Sequence, residues 1–598
     1  MVENYAAVVQ RIARQNHLRF SFESYTTIGN DLDAANFADE PIAEFWPHRP
    51  DDGFRSTNKA MASAAHLNGR TIIGAESFDA DQKERWLEHP ATLKPFADEL
   101  LTTGVNHIIV HRYAMQPFLH VAPGVQMGPW GQHYERTQTW WESTGPWHRY
   151  LARCQFLLRT GHPTADILRL QSEEPLHRFV GTTFDGYDYD ACSPDTFAQL
   201  RVENGEWVSR GGNYKLLVLD HADTMTLPLL THLRDEIRAG GCVWGEPPKQ
   251  TPGLTDRTKA DARLIDLVRE IWGEQSVAVH ACGRGRVFRQ MTVEAALRHL
   301  EIEPDFSSDQ PLHWIHRHGD ADTEIYFLAN TSQHDVEANC TFRVHDLMAE
   351  RWDAEAGTFV PISSEALDKQ RSRLIISLAA ESSAFLIFRP KDKDSTAQRT
   401  LSVSAVHPHL VKTITINEPW IVRFPPGWGA PEKIRIDHLA AWNESSVEGI
   451  GHFSGTARYG TQIELTAADL DSASQIQLDL GRVEMLARIK VNGRAFEPLW
   501  RHPFKINIIS ALRAGKNEIE VEVTNLWVNR LIGDESLPED SARYSDGTLQ
   551  SWPAWLSTSG QSPSGRFTFS SWRQWKKDEP LRPSGLLGPV TLQIISDK

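Results

Sequence analysis

The chain has 598 residues, of which 40% are hydrophobic and 23% charged, a balance typical of a globular protein too long for a single core. Its formal net charge of −16 argues against nucleic acids and anionic membrane surfaces as partners. No apolar run of about 18 residues suggests a membrane span, and the opening segment MVENYAAVVQRIARQ is typical of an amphipathic helix rather than a signal peptide. We therefore expect a cytoplasmic protein, or a periplasmic or secreted one if a longer precursor carries an export signal.

The first 160 residues repeat one theme, a helix followed by a short apolar strand. The helices are predicted at 3–15, 59–69 and 93–103, and the strands at 18–24, 71–77 and 107–113. This alternation predicts parallel strands joined by helical crossovers. The strands carry Glu23, Glu76 and His111 near their C-terminal ends. Polar groups at the same end of successive strands favour the rim of a barrel or the binding edge of a sheet.

A loop rich in glycine, proline, aromatic and charged residues follows the third strand and ends where a helix is predicted from Trp147. Its notable side chains are Tyr113, Trp130, His133, Tyr134, Glu135, Arg136, Trp140, Trp141 and Glu142. Aromatic faces bind sugar rings, and carboxylate, histidine and arginine groups bind hydroxyls, so the loop indicates a carbohydrate site. The alternative is that these aromatic residues simply form a core.

The rest of the chain is predicted as three further domains. Strands and helices alternate over 161–300, which predicts a doubly wound α/β domain of flavodoxin or glutaminase type. Short alternating strands predict a small β-sandwich at 301–392, and the polar segment 391–400 predicts a linker. Residues 400–598 are again strand-rich and predict a jelly-roll β-sandwich.

Two groups of residues in these regions are interpreted structurally. Asp185, Asp188 and Asp190 precede a predicted helix and are interpreted as capping residues, with a site role as the alternative. The five cysteines are widely spaced and form no CxxC pair, so buried free thiols are predicted. They are Cys154, Cys192, Cys242, Cys282 and Cys340.

A series of short motifs resembles glycoside hydrolase family 106, the bacterial α-L-rhamnosidases. The motifs are Glu44-Phe45-Trp46, Ala64-Ala65-His66, Gly74-Ala75-Glu76-Ser77-Phe78, Gly104-Val105-Asn106, His111-Arg112-Tyr113 and Thr139-Trp140-Trp141. The tail segments LDLGRVEMLARIKVNGR, LWRHPFKINI and VTNLWVNRLIGD are similar to the galactose-binding-like sandwich that closes these enzymes. The resemblance runs in order over most of the chain.

The resemblance implies a (β/α)8 TIM barrel that hydrolyses terminal α-L-rhamnosides of plant or microbial polysaccharides with inversion, aided by calcium. Inversion uses a carboxylic acid and a carboxylate base on opposite sides of the scissile bond. Glu76 is the expected base, and Glu23 is a second carboxylate or a sugar ligand. Glu44, expected in the loop after the preceding strand, is assigned to calcium or substrate. The residues expected to bind substrate are His111, Tyr113, Glu135, Trp140 and Trp141.

The sequence also departs from a complete barrel, because three βα units are predicted where eight are needed. We therefore interpret residues 1–160 as the C-terminal part of the catalytic barrel. The general acid is expected on an earlier strand outside this sequence, with Glu23 as the candidate within it. A missing N-terminal half or a partner chain would complete the barrel, and this chain alone is expected to be a poor hydrolase.

Two other functions remain open from the sequence. One is a non-catalytic carbohydrate-binding protein, in which the partial barrel is inert and the C-terminal sandwich binds glycans. The other is a different barrel glycosidase related to β-galactosidases. Hydrolysis of a chromogenic rhamnoside would distinguish a rhamnosidase from a non-catalytic binding protein. Substrate profiling would distinguish a rhamnosidase from a relative of the β-galactosidases.

Overall fold

The structure is a computed structural model that describes residues 2–25, 29–49, 54–81, 84–128, 131–173, 179–219, 222–253, 257–390 and 409–597. It divides into two compact units. The first comprises Met1–Ser77, Pro95–Ile109 and Ala152–Asp394, and the second comprises Phe78–Lys94, Val110–Leu151 and Ser395–Lys598. The predicted linker 391–400 and Trp130 lie outside the described residues. The predicted combination of α/β and all-β regions is confirmed.

A sheet of four strands opens the chain, with a helix before or between its strands and with β1, β2 and β3 parallel. The elements are α1 (Val2–Gln15), β1 (Ser21–Glu23), α2 (Asp31–Ala35), β2 (Glu40–Phe45), α3 (Phe54–Leu67), β3 (Gly74–Ser77), α4 (Pro90–Thr102) and β4 (His107–Val110). The strand order is β1-β2-β3-β4, so each strand lies beside the next one along the chain, as expected of βα repeats. Helix α5 (Gly145–Leu158) follows.

Strand β2 was not predicted, and its presence corrects the assignment of Glu44 to a loop. Glu44 lies inside β2, and its backbone is paired with that of Glu76. The segment EPIAEF has a proline at its second position, where it is tolerated at the start of a strand. Its alternation is nevertheless that of a strand, because Ala43 and Phe45 enter the core with α3, whereas Glu44 is only half-buried and points to the other face.

A second, six-stranded sheet lies in the first unit. Its elements are β5 (Ile167–Leu170), β6 (Tyr189–Cys192), β7 (Leu216–Leu219), α6 (Leu227–Ala239), β8 (Cys242–Trp244), α7 (Arg257–Trp272), β9 (Val279–Cys282) and β10 (Gly285–Phe288). The order is β9-β10-β8-β7-β5-β6. All neighbours are parallel except β9 and β10. Every residue of β5 and β7 is buried, as expected of a parallel sheet covered on both faces.

The predicted capping role of the aspartates before Pro194 is wrong for two of them. Ser193 caps the helix Pro194–Phe197 with its own side chain. Asp188 instead forms an ion pair with Lys59 at 2.7 Å. Asp190 is buried and contacts His66 Nδ1 at 3.0 Å. These two aspartates therefore link α3 to the second sheet, which is still a structural role.

Two β-sandwiches complete the chain, one in each unit. The small sandwich pairs a sheet of Phe306–Ser308, Val336–Phe342, Ser372–Leu378 and Glu365–Ala366 with a sheet of Thr358–Ile362, Leu347–Asp353, Ser382–Pro390, Glu324–Asn330, His313–His318 and His162–Pro163. The C-terminal sandwich pairs a sheet of His409–Thr415, Thr591–Ser596, Gln475–Asp479 and Lys505–Asn507 with a sheet of Lys433–Ile436, Trp420–Arg423, Thr456–Leu465, Gly515–Thr524, Leu486–Val491 and Arg494–Ala495. Each has its own apolar core.

The second unit joins the C-terminal sandwich to two much earlier segments, 78–94 and 110–151. The indole nitrogen of Trp527, for example, donates to the carbonyl oxygen of Thr137 at 2.9 Å. The predicted domain 1–160 is therefore divided between the two units.

All five cysteines are free thiols, as predicted. Among the described residues, no helix combines the length and the apolar character needed to cross a membrane.

Candidate active site

Three glutamates lie near the carboxyl ends of adjacent strands in the first sheet. Glu44 on β2 is paired in register with Glu76 on β3, and Glu23 on β1 is paired with Ile42, two residues before Glu44. Paired residues point to the same face of a sheet, and so do residues two apart along one strand. Glu23, Glu44 and Glu76 therefore share one face, opposite the face that packs against α3. All three are half-buried.

Two aromatic residues hold the carboxylate of Glu44. The phenol of Tyr25 donates to Oε2 at 2.7 Å, and the indole nitrogen of Trp46 donates to Oε1 at 2.6 Å. Each carboxylate oxygen thus receives one hydrogen bond, which fixes the plane of the carboxyl group. Both donors are neutral, so they orient the carboxylate without cancelling its charge.

The pKa of Tyr25 responds to the charges of all three glutamates. Burial raises the pKa of the Tyr25 phenol well above its usual value, and the hydrogen bond to Glu44 raises it further. The negative charges of Glu23, Glu44 and Glu76 each add to this increase. The phenol thus experiences the charges of all three carboxylates, and charge interactions weaken with distance. The structure therefore gathers the predicted catalytic and metal residues of the first unit around Tyr25.

Below the glutamates, the same face of the sheet is closely packed. The Glu40 carboxylate contacts His107 Nδ1, and this hydrogen bond holds the pKa of Glu40 below its usual value against the effect of burial. A Cβ at Gly74 would lie 3.0 Å from Ile42 Cγ1 and 3.3 Å from Glu40 Oε1. Glycine therefore leaves the space that these side chains fill, two residues before Glu76.

The other predicted site residues belong to the second unit. His111 Nδ1 lies 2.7 Å from the carboxylate of the buried Asp79. A Cβ at Gly131 would lie 2.7 Å from the same nitrogen, so the loop backbone lies against the imidazole. Tyr113 is 67% exposed and is therefore accessible to a ligand.

Glu135 is buried in the loop, where Gln116 and Thr137 donate to its carboxylate. Burial raises the pKa of Glu135, although these hydrogen bonds and the charges of His133 and Arg112 oppose the increase. A carboxyl group with a raised pKa in an apolar setting is characteristic of general acids, but it also occurs in buried structural networks.

The two tryptophans at the end of the loop have different environments. Trp140 has no exposed surface and packs edge-on against Tyr134 with ring centroids 5.5 Å apart. Trp141 is half-buried and contacts Tyr134 and His148. Burial argues against a direct sugar contact by Trp140, whereas Trp141 keeps an accessible edge.

Sequence reasoning missed Tyr25 as a partner of the carboxylates and Asp79 as the partner of His111. A signal for the first was present, because each of the three glutamates is followed two residues later by an aromatic residue. The segments are Glu23-Ser24-Tyr25, Glu44-Phe45-Trp46 and Glu76-Ser77-Phe78. A spacing of two returns a strand to the same face, so the first two segments predict aromatic residues beside the carboxylates.

Comparison with known proteins identifies relatives along the whole chain. The family model of glycoside hydrolase 106, described as alpha-L-rhamnosidase, matches residues 1–366. A solved structure, the rhamnosidase from Novosphingobium sp. PP1Y, is 28% identical with a TM-score of 0.85; the match covers 99% of this chain and 55% of that one. A Formosa agariphila protein with the name "Putative beta-glucuronidase" is 26% identical, over 100% of this chain and 69% of that protein. This chain therefore spans about half the length of the solved rhamnosidase.

Proposed function

Because the chain belongs to glycoside hydrolase family 106, the alpha-L-rhamnosidase family, we propose that it acts in the inverting hydrolysis of terminal α-L-rhamnosides of plant or microbial polysaccharides. The observation that carries this proposal is the group of three carboxylates on one face of a parallel sheet, at the strand ends where barrel enzymes bind substrate. A non-catalytic glycan-binding protein is not favoured, because the family match covers the segment that contains these carboxylates.

We assign Glu76 and Glu23 as the catalytic pair, and strand spacing sets the distance that their side chains must span. Neighbouring strands lie about 4.8 Å apart, so Glu44 and Glu76, which are paired in register, are too close for an inverting pair. Strand β2 separates Glu23 from Glu76, which gives a lateral backbone separation of about 9.6 Å. An inverting enzyme needs about 6.5–9.5 Å between its carboxyl groups, to leave room for water. Because Glu23 is level with Ile42 rather than with Glu44 and Glu76, the two backbones are also offset by two residues along the strands. The side chains of Glu23 and Glu76 must therefore turn toward each other to reach this range.

The two carboxyl groups take complementary roles in this proposal. Glu76 accepts a proton from water as the water oxygen bonds to the anomeric carbon of rhamnose. The bond from that carbon to the leaving oxygen breaks at the same time, and Glu23 donates its proton to the leaving oxygen. The products are free rhamnose of inverted configuration and the hydroxyl of the remaining glycan.

Glu44 is proposed to hold a calcium ion or the sugar. Its carboxylate is fixed by Tyr25 and Trp46, and each oxygen keeps a further lone pair. Carboxylate oxygens are hard donors, which is the ligand chemistry that calcium prefers. When bound, the ion would supply positive charge and oxygen coordination for sugar hydroxyls.

Calcium binding is testable without measuring activity. Calcium should raise the melting temperature of the chelator-treated protein, and Glu44→Gln should reduce or abolish that increase. Glu142→Gln, an exposed carboxylate in the loop, is the matched control and should respond like the wild type. A melting temperature that is the same with EDTA and with excess calcium would contradict the metal proposal.

The loop of the second unit is proposed to bind the sugar and its neighbours on the glycan. His111, Tyr113, Glu135 and Trp141 carry hydroxyl-binding or aromatic groups suited to this role, and Trp140 supports the loop from the core.

We further propose that the first sheet is part of a (β/α)8 barrel and that the C-terminal sandwich is galactose-binding-like, as the family resemblance implies.

The decisive experiment measures hydrolysis of 4-nitrophenyl α-L-rhamnoside and identifies the first anomer released by NMR. The proposal predicts β-rhamnose first, because inversion converts the α linkage. Retention of configuration, or faster release from 4-nitrophenyl β-D-glucuronide, would contradict it. Unactivated rhamnosides should react far more slowly than the aryl glycoside, because their leaving groups depend more on protonation by the acid.

A further inference from the structure

A cleft of about 500 Å³ in the second unit contains none of the three glutamates. Its volume lies within the range of about 300–1,000 Å³ that is usual for small-molecule sites. It lies between the loop that follows β4 and segments of the C-terminal region. The lining residues that carry the argument are His120, Trp428, Trp555, Gln561, Ser562 and Phe567.

Four tryptophan and phenylalanine side chains line the cleft. Phe569 is buried, and neighbouring groups hold each of the other three. Trp428 packs against Trp527 with ring centroids 5.5 Å apart. The indole nitrogen of Trp555 donates to a backbone carbonyl oxygen at 3.2 Å. The Arg530 guanidinium lies 4.4 Å from the ring centre of Phe567, which is 36% exposed. Rings that are held in place and still partly exposed lose little conformational entropy when a ligand stacks on them.

The charges beside the cleft favour a neutral ligand. Among the described residues, those that line it include no aspartate or glutamate. Two guanidinium groups lie close by, but Arg566 is paired with Glu535 at 2.9 Å and Arg530 with Asp534 at 3.0 Å. Ion pairs of this kind leave little net positive charge to attract a uronate or a sulfate.

The remaining lining combines small and polar residues. A Cβ at Gly427 or at Gly565 would meet no atom within 4 Å, so both glycines border open space. Gln561 and His120 offer hydrogen-bonding groups beside the aromatic rings, whereas the Ser562 hydroxyl donates to Asp540 at 2.7 Å. Flat apolar faces bordered by amide, hydroxyl and imidazole groups match a pyranose ring, which has C–H faces and a hydroxyl edge.

We propose that this cleft is a glycan-binding subsite that takes a neutral segment of an oligosaccharide, with sugar rings stacked on Trp428 and Trp555. The choice of a glycan rests on the proposed function, whereas the cleft, its rings and its charge balance do not. The site would hold the polysaccharide chain by residues other than the catalytic carboxylates.

Native gel electrophoresis of the full chain through soluble polysaccharides tests this proposal. Arabinogalactan, xyloglucan and galactomannan are the neutral probes, and polygalacturonate is the anionic one. We expect at least one neutral probe to retard the protein, with an apparent Kd at least tenfold weaker in the double variant Trp428→Ala/Trp555→Ala. Trp552→Ala removes a tryptophan that is 56% exposed but does not line the cleft, and it should bind like the wild type.

A second variant guards against a folding defect in the double mutant. Gly427→Asn adds a side chain toward open space and removes no contact. Asparagine is among the residues that best tolerate the left-handed backbone at this position, φ +81°. It should weaken binding with little change in melting temperature. Unchanged retardation in both variants, retardation by polygalacturonate alone, or no retardation by any probe would overturn the proposal.

The catalytic proposal is separable from this one. Glu76→Gln should leave polysaccharide retardation intact, and the tryptophan variants should keep hydrolysis of the small aryl rhamnoside within a fewfold of the wild type. Loss of retardation in Glu76→Gln equal to that in the tryptophan variants would assign the binding to the catalytic carboxylates and overturn the cleft proposal.

Discussion

The first unit contains two groups of acidic side chains that are held in opposite ways. At the strand ends, Glu44 receives its hydrogen bonds from Tyr25 and Trp46, which are neutral. In the small sandwich, the buried Asp305 contacts His316 at 2.8 Å and is thereby matched to a cation. Neutral donors fix the position of a carboxylate and keep its charge available, whereas a cationic partner neutralises it. The comparison distinguishes Glu44, whose charge is not neutralised by its partners, from Asp305, whose charge is neutralised within the fold.

Asp305 belongs to a network of charged side chains in the small sandwich, which we call the sandwich network, and the imidazole of His316 is at its centre. His316 contacts Asp305 through Nδ1 and Glu324 through Nε2, at 2.8 and 2.9 Å, and its ring stacks on Tyr326 at 3.8 Å. Arg343 lies 3.6 Å from Asp305. Burial opposes protonation of His316, but the charges and hydrogen bonds of its two carboxylate partners raise its pKa to about 9. Such a network resists removal of any one member, because the others would stay buried and unpaired.

The largest effect is expected at the strand ends, where Glu76→Gln should reduce turnover of an aryl rhamnoside by about 10²–10⁴-fold. The amide keeps the shape of the side chain and removes its basic oxygen. The melting temperature should stay near that of the wild type, as checked by calorimetry. The matched change Glu324→Gln in the sandwich should do the reverse and lower stability while leaving turnover close to normal. Near-normal turnover in Glu76→Gln would show that Glu76 is not the catalytic base.

In the sandwich network, His316→Gln should destabilise the protein by about 3–5 kcal/mol, because it removes the imidazolium that contacts the buried carboxylate of Asp305. Urea unfolding followed by fluorescence gives the change in the free energy of unfolding. His318→Gln is the control, because this imidazole also contacts Glu324 but is largely exposed. It should cost less than about 1 kcal/mol. Equal effects of the two substitutions would show that burial does not govern the network.

The same network predicts how stability depends on pH. The pKa of His316 is about 9 in the folded protein, against about 6.5 in an unfolded chain. Its contribution is therefore complete below about pH 6.5 and is lost as the pH rises through about 9, with a total of up to about 3 kcal/mol. The wild-type melting temperature should fall over this interval, and the fall should be smaller in His316→Gln. If the melting temperature of His316→Gln falls as much as that of the wild type, the pH dependence comes from titratable groups other than His316.

A smaller effect is expected from the neutral donors at the strand ends. Tyr25→Phe removes one hydrogen bond to Glu44, worth about 0.5–1.5 kcal/mol. Turnover of an aryl rhamnoside should fall by roughly tenfold or less, with the ring packing unchanged. Tyr544→Phe removes the hydroxyl of an exposed tyrosine outside the candidate site and serves as a comparison for the general loss of a phenol. A loss in Tyr25→Phe as large as in Glu76→Gln would mean that Tyr25 takes part in the chemistry itself.

Much of the first sheet could be predicted because its strands follow simple local patterns. Glu23, Glu76 and His111 were placed correctly at or just after strand ends, since short apolar runs between helices predict parallel strands. The strand that contains Glu44 was missed because Pro41 and two glutamates interrupt its apolar character. The family was also accessible from sequence, because its motifs combine strand ends with the residues beside them.

The sequence alone therefore determined three of the four strands of the first sheet, the carboxylates of Glu23 and Glu76 at their ends, and the family, since these depend on residues a few positions apart. Tertiary structure decided what those side chains contact. Tyr25 reaches Glu44 on the neighbouring strand, 19 residues away, because the parallel register brings the two strand ends level. The cleft of the second unit combines His120 with Trp428 and Trp555, and no local pattern connects positions more than 300 residues apart. Periodicity reports which face of an element is buried, whereas the partner of that face is fixed only when distant elements pack.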